Sequence, residues 1–404
     1  MKYLIIVPDG CADRPLPELG GMTPLEAAGL ECINRLAKRS EVGMAQTIPE
    51  GVAPGSDAAN LSVMGFDPAL YLTGRSPLEA ASMGIEMSDD DVAFRVNLVT
   101  LDGEGPYEGL TVKDHSSGDI ESDEARVLIE AVEKEFGRPG RHFYPGVSYR
   151  HAMIVKNGRT DCELTPPHDI LTRAAGGYLP KGGGAAEIEG LMRASYALLK
   201  DHPVNRARAG RGLNPANSIW IWGQGRKPRL PSFRDTYGID GSVISAVDLI
   251  KGIGICAGLD ARDIPGATGT LKTNFRGKAE GAIAEFSRGR DFVYIHVEAP
   301  DECSHQGDLQ GKIESLRRID REVFEPVREW LERCGEPYRI LIVPDHRTPM
   351  EIRTHSSEPV PFVLYDSERP LPPDEGKAFS EASGARGGSY PSGCALAGRF
   401  FGAG

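Results

Sequence analysis

The sequence predicts an α/β fold, a mostly parallel sheet sandwiched by helices, with a smaller α+β domain inserted into it. Three observations carry this reading. Continuous apolar runs near both ends of the chain have the length of strands buried on both faces. Between them the texture changes to short alternating strands and amphipathic helices. The apolar runs also lead into carboxylates, so distant segments deliver acidic groups to the carboxyl edge of one sheet, where open parallel sheets bind ligands.

The first strand is Tyr3-Leu4-Ile5-Ile6-Val7-Pro8, stopped by Asp9. A helix over residues 23–38 opens Thr-Pro-Leu-Glu, with Pro at its first position and a carboxylate in its first turn. A Pro- and Gly-rich loop at 48–56 leads into a helix that begins at Ser56 and is ended by Gly65. Strands at 92–99 and 149–155 alternate in polarity, helices span 121–136 and 185–200, and residues 176–184 read as a mobile glycine-rich loop. After Asn214 the apolar texture resumes with a strand at 218–222, then helix-like stretches at 243–258 and 278–288. Phe292-Val293-Tyr294-Ile295-His296-Val297 then runs into Asp301, and Ile340-Leu341-Ile342-Val343-Pro344 stops at Asp345-His346. The predicted organisation is one domain from residues 1–66 and 215–404, with 67–214 inserted.

Composition removes several function classes. A formal net charge of -12 argues against a nucleic-acid binder and an anionic membrane surface. An anionic substrate then needs metals or local Arg and Lys to offset repulsion. Seven scattered cysteines without a CxxC pair read as thiols in a reducing compartment. No apolar run approaches a membrane span, and Asp9 ends the N-terminal run too early for a signal peptide. A cytoplasmic protein is expected, with its oligomeric state open and a homo-oligomer among the options.

Three constellations carry chemistry. Asp301 and His305 stand four apart, so one helical turn aims both at one cation, and His355 can complete the set. Asp345 and His346 are adjacent at a strand mouth, where the flanking prolines turn the backbone. Ser56 follows Pro54-Gly55 at a helix N-terminus, where dipole and free N–H groups attract anions. By itself Ser56 reads as an N-cap; beside a divalent cation it reads as a phosphoryl acceptor. His296, inside an apolar strand, reads as a core histidine, and Trp220 and Trp222 as core residues on one face.

Taken together, Val7-Pro8-Asp9-Gly10, Pro54-Gly55-Ser56-Asp57-Ala58-Ala59-Asn60, Asp114-His115-Ser116-Ser117-Gly118, Tyr149-Arg150-His151, Leu249-Ile250-Lys251-Gly252, Pro300-Asp301 through His305, Pro344-Asp345-His346 and Thr354-His355 resemble the alkaline phosphatase superfamily. Within it the chain resembles the archaeal-type cofactor-independent phosphoglycerate mutases, over nearly its whole length. The resemblance implies an alkaline-phosphatase-like sheet with an inserted cap acting as a lid. It implies two divalent metal ions, one held by Asp301, His305 and His355, the other by Asp9, Ser56, Asp345 and His346. Manganese is the first choice, with zinc, cobalt or magnesium also suited to mixed oxygen and imidazole donors. No 2,3-bisphosphoglycerate is expected.

The reaction implied is interconversion of 3-phosphoglycerate and 2-phosphoglycerate through a phosphoserine at Ser56, with His115, Arg150, His151 and Lys251 binding the small phosphate ester. One segment departs from the archaeal pattern. Trp220-Ile221-Trp222-Gly223-Gln224-Gly225-Arg226 resembles a bacterial branch for which a homoserine kinase role is proposed. The alternative is therefore a phosphotransferase of the same fold acting on another small hydroxy acid, although no Walker-type loop is present to hold a nucleotide.

Overall fold

A computed structural model describes residues 1–402. The chain divides into two compact units, Met1–Leu72 with the chain from Arg229 onward, and Thr73–Pro228. Among the described residues, no helix is long and apolar enough to cross a membrane.

The larger unit is built on an eight-stranded sheet. From one edge its order is Asp260–Arg262, Gly241–Ile244, Phe292–Val297, Lys2–Pro8, Tyr338–Ile342, Val360–Asp366, Glu41–Ala45 and Gly388–Tyr390. The first five strands run parallel; Val360–Asp366 is antiparallel to both of its neighbours. The central strand Lys2–Pro8 pairs with Phe292–Val297 and Tyr338–Ile342, so the three apolar runs lie side by side. Leu4 to Val7, Phe292 to Val297 and Ile340 to Val343 are wholly buried, as helices on both faces require.

The single helix expected over 23–38 is two, Pro24–Ala28 and Glu31–Ala37. Thr23 and Glu26 form a capping box at the start, and Gly29, at φ 62°, closes the first helix in the left-handed region. The second helix is capped from far away: the buried Asp320 carboxylate accepts from Cys32 N at 3.1 Å and Ile33 N at 2.7 Å. The stretch at 243–258 likewise divides into the strand Gly241–Ile244 and the helix Asp248–Cys256.

The smaller unit holds an antiparallel sheet in which Val92–Asp102 is flanked by Arg150–Val155 and Ser218–Arg226. Thr111–Asp114 pairs with the end of Val92–Asp102, and Arg141–Tyr144 with Arg150–Val155. Helices Ser122–Phe136 and Ala185–Leu199 pack on it. Here the expected boundary at 214/215 is corrected. The strand expected at 218–222, taken as the return of the parallel-strand texture, is part of Ser218–Arg226, an antiparallel partner of Val92–Asp102, and the chain leaves this unit only after Pro228. An apolar run reports burial, which both units offer, and not which sheet it joins. The expected break at 66/67 likewise moves to after Leu72, because Pro68–Tyr71 packs on the helix Ser56–Val63. The glycine-rich stretch is partly regular: a short 3-10 helix covers Ala175–Tyr178, and Lys181–Gly182 pairs with Cys162–Glu163.

Candidate metal centre

The centre is assembled where the three central strands end. Val7 is in register with His296 and Ile6 with Ile342, which brings Asp9, the helix Ala299–Gln306 and the turn at Asp345 to one edge. Asp9 N donates to Val297 O at 3.0 Å. Gly10 follows at φ 61°, and its N–H donates to Asp345 Oδ1 at 3.2 Å. A Cβ at Gly10 would lie 2.5 Å from both Asp301 Oδ1 and Thr348 Oγ1, so both conformation and space require glycine there.

The inner donors are Asp9, Asp345 and His346, with side chains 2%, 0% and 0% exposed. His346 Nε2 lies 3.6 Å from Asp9 Oδ1, 3.4 Å from Asp345 Oδ2 and 3.1 Å from Ser56 Oγ. Ser56 is the first residue of the helix Ser56–Val63, whose N-cap is Gly55. Its hydroxyl is thus released from capping, and the N-cap reading is corrected. Asn60, one turn along, donates through Nδ2 to Asp345 Oδ2 and to Ser56 O, each at 2.8 Å. Tyr294 OH donates to Asn60 Oδ1 at 2.5 Å, which fixes which way the amide faces.

The outer donors are Asp301, His305 and His355. His305 Nε2 lies 3.1 Å from both Asp301 Oδ2 and His355 Nε2, and His355 Nε2 lies 3.5 Å from Asp301 Oδ1. Arg353 O accepts from His305 Nδ1 at 2.9 Å, which turns Nε2 toward the centre. The rings of His346 and His355 stack at 3.9 Å between centroids and tie the outer donors to the inner ones.

Electrostatics separate the two sets. Burial, then the neighbouring Asp345, Asp301 and Glu298, push the Asp9 carboxyl well above the usual carboxylate range. Burial acts in the same direction on Asp345, but His346 and His296 outweigh it and hold that group below its ordinary value. Asp301 is also raised by burial and lowered by more, chiefly by His305 and then His355. The hydrogen bond to Asp301 lifts His305 to about 9, whereas burial lowers His346.

This arrangement fits a divalent metal. Donor atoms of Asp9, Asp345 and His346 lie within 4.8 Å of one another, as do those of Asp301, His346 and His355. Among the described residues Asp9 Oδ1 is buried with no hydrogen-bond partner, an acceptor available to a cation. His346 is shared between the two groups. The seven residues singled out from the sequence (Asp9, Ser56, Asp301, His305, Asp345, His346 and His355) are thus brought together by distance.

The other expected residues behave differently. His115, in the smaller unit, makes edge contacts with the rings of Tyr149 and His168, and the Arg150 guanidinium lies 5.2 Å over Tyr149. Arg150 and His151 are successive strand residues and face opposite ways, Arg150 exposed and His151 buried. His151 Nδ1 accepts from Gly146 N at 3.0 Å, and burial lowers the imidazole to about 3. Lys251 is held between Asp248 at 2.9 Å and Asp263 at 3.1 Å.

Sequence reasoning passed over several groups. His296, read as a satisfied core histidine, is wholly buried with Nε2 3.0 Å from Asp9 Oδ2, not aligned as a hydrogen bond, and Nδ1 3.2 Å from Ser245 Oγ. Burial lowers it to about 4, so it stands neutral beside Asp9. Its proximity to Asp9 was available in principle from strand pairing, since His296 precedes the end of its strand by one residue. Asn60, Tyr294 and Thr348 carried no local signal.

A family model described as 2,3-bisphosphoglycerate-independent phosphoglycerate mutase matches residues 37–205. A Methanosarcina acetivorans protein named 2,3-bisphosphoglycerate-independent phosphoglycerate mutase is 47% identical over 384 residues, covering 95% of each chain. Among solved structures, a Pyrococcus horikoshii protein matches with a TM-score of 0.81 at 28% identity, over 100% of this chain and 98% of that one. The cofactor-independent phosphoglycerate mutase of Thermoplasma acidophilum matches with a TM-score of 0.68 at 25% identity, over 100% of both chains. With this coverage and identity, the chain belongs to the 2,3-bisphosphoglycerate-independent phosphoglycerate mutase family.

Proposed function

We propose that the protein interconverts 3-phosphoglycerate and 2-phosphoglycerate through a phosphoserine at Ser56. The observation that carries this reading is the Ser56 hydroxyl, 3.1 Å from His346 Nε2 at the start of a helix, beside acidic groups that fit divalent metal. Asp9, Ser56, Asp345 and His346 would hold one ion, and Asp301, His305 and His355 the other, with manganese preferred. Bound there, the ions would stabilise a Ser56 alkoxide and neutralise charge on the transferring phosphoryl group.

Ser56 Oγ loses its proton and attacks phosphorus; the bond from phosphorus to the glycerate C3 oxygen breaks, and that oxygen takes a proton. The glycerate C2 hydroxyl then loses its proton and attacks the phosphoserine, and Ser56 Oγ leaves and is reprotonated. The helix N-terminus faces phosphate with its dipole. Asn60 holds Asp345 and the Ser56 carbonyl in place throughout. His115 and Arg150 are the candidates for binding the substrate's carboxylate or phosphate. His151 is too deeply buried for that role, and Lys251 would have to exchange a carboxylate partner for substrate. Seven free cysteines accord with a reducing, cytoplasmic setting.

The Methanosarcina acetivorans and Thermoplasma acidophilum relatives carry the mutase name, and nothing in them supports the hydroxy-acid kinase alternative. The test is phosphorus NMR on metal-loaded protein incubated with 3-phosphoglycerate and no nucleotide, with chelator added before acquisition. A 2-phosphoglycerate signal without free phosphate is expected. Free phosphate alone would mark a hydrolase, and no change would reopen the kinase reading.

A further inference from the structure

We propose that Thr348 is a positioning residue whose hydroxyl locks the tautomer of His346 and couples the two donor sets. The inference rests on the metal reading above. The Thr348 side chain is wholly buried, and its Oγ1 touches both Asp301 Oδ1, at 2.5 Å, and His346 Nδ1, at 3.2 Å. A threonine hydroxyl has one proton and two lone pairs. Asp301 faces the ring nitrogens of His305 at 3.1 Å and His355 at 3.5 Å, so its oxygens act as acceptors and the Thr348 O–H donates to Oδ1. What remains on Oγ1 is acceptor capacity, so His346 Nδ1 must carry the ring hydrogen. Its Nε2 is then left with a lone pair, pointing at Ser56 Oγ and the inner carboxylates. The opposite tautomer would place a hydrogen on Nε2 and deprive both donor groups of their shared imidazole.

The surroundings hold this hydroxyl in one place. Lys312, wholly buried, donates to Thr348 O at 2.9 Å and to Asp13 Oδ2 at 2.8 Å. The Asp13 carboxylate also accepts from Met350 N, at 3.3 Å and 3.1 Å to its two oxygens. The backbone is therefore pinned at Thr348 and two residues beyond it. Across the site Gly10 leaves room for the contact, since a Cβ there would meet Thr348 Oγ1. One hydroxyl thus passes orientation from Asp301, an outer donor, to His346, an inner one.

The test compares Thr348→Val, which keeps the shape and removes the hydroxyl, with Thr348→Ser, which keeps the hydroxyl. Manganese affinity is measured by calorimetry, and the His346 tautomer by nitrogen-15 NMR of metal-free, histidine-labelled protein. Thr348→Val should bind manganese about 10–100-fold more weakly, the usual cost of losing a group that orients a metal ligand. Thr348→Ser should restore most of the affinity, and the parent should show hydrogen on Nδ1 while Thr348→Val shows a mixture. Parental affinity and tautomer in Thr348→Val would overturn the inference, as would a parent protonated at Nε2, a result that needs no variant to fold. A parent that binds no manganese would instead overturn the metal reading.

Discussion

The inner and outer donors are built from the same residue types but held in different ways. His346, at the inner group, is wholly buried, and burial keeps it neutral; His305, at the outer group, is 35% exposed, and Asp301 keeps it protonated at neutral pH. Backbone N–H groups of Gly10 and His346 and the Asn60 amide fasten Asp345. His305 rests on the Arg353 carbonyl through Nδ1, and its Nε2 faces titratable groups, Asp301 and His355, in place of fixed backbone or amide donors. The contrast shows where the fold has invested rigidity. At the inner group burial and the neighbouring carboxylates raise Asp9 toward its protonated form, a proton that a bound cation would displace, whereas at the outer group the extra proton sits on His305 beside Asp301.

The sharpest way to break this comparison is at its centre. Ser56→Ala should lower turnover by roughly 10⁴–10⁶-fold, the scale of losing a nucleophile, while the fold stays near parental and the six remaining donor side chains still bind manganese. Kinetics with 3-phosphoglycerate beside a calorimetric metal titration check it, and substantial residual turnover would sink the phosphoserine route. Next comes the buried pair behind the site. Lys312→Met strands Asp13 without its cation and should destabilise the protein by about 3–5 kcal/mol in denaturant unfolding. A change within error would show that the pair does not hold the turn. Asn60→Ala should cost about 1–3 kcal/mol of metal-free stability, since Asp345 and Ser56 O lose a shared donor.

The smallest effect concerns pH and separates the two groups. The folded value of His305 is raised to about 9 above an ordinary histidine near 6.5. The folded state therefore binds this proton more tightly than the unfolded chain does. Stability from the His305 and Asp301 pair is fully present below about pH 6.5 and is lost as pH rises through about 9. Partial exposure screens it, so the slope is shallow. Thermal melts of metal-free protein should show this loss and His305→Gln should lack it; identical pH profiles would contradict the assignment.

Much of the sheet and of the donor set was legible in the sequence, because both are written in local patterns. Continuous apolar strands mark burial, and a strand end at Asp9, a helical turn at Asp301 and His305, and a turn at Asp345 and His346 each declare their direction locally. What escaped depends on partners far along the chain. Asp320 caps a helix nearly three hundred residues away in sequence. Thr348 matters only through Asp301 and His346, and Tyr294 only through Asn60. His296 sits within an apolar strand and gains meaning only from the neighbouring strand that places Asp9. The strand expected at 218–222 was assigned to the wrong sheet for the same reason: hydrophobic pattern sets burial, and pairing is decided by topology.

The most direct test of the account is to trap the intermediate. Metal-loaded protein is mixed with 3-phosphoglycerate, quenched in acid within the first turnovers, and mapped by peptide mass spectrometry. A phosphoryl group is expected on Ser56 only with metal and substrate together. Turnover that proceeds with Ser56 unmodified, or with the phosphoryl group on another residue, would contradict it.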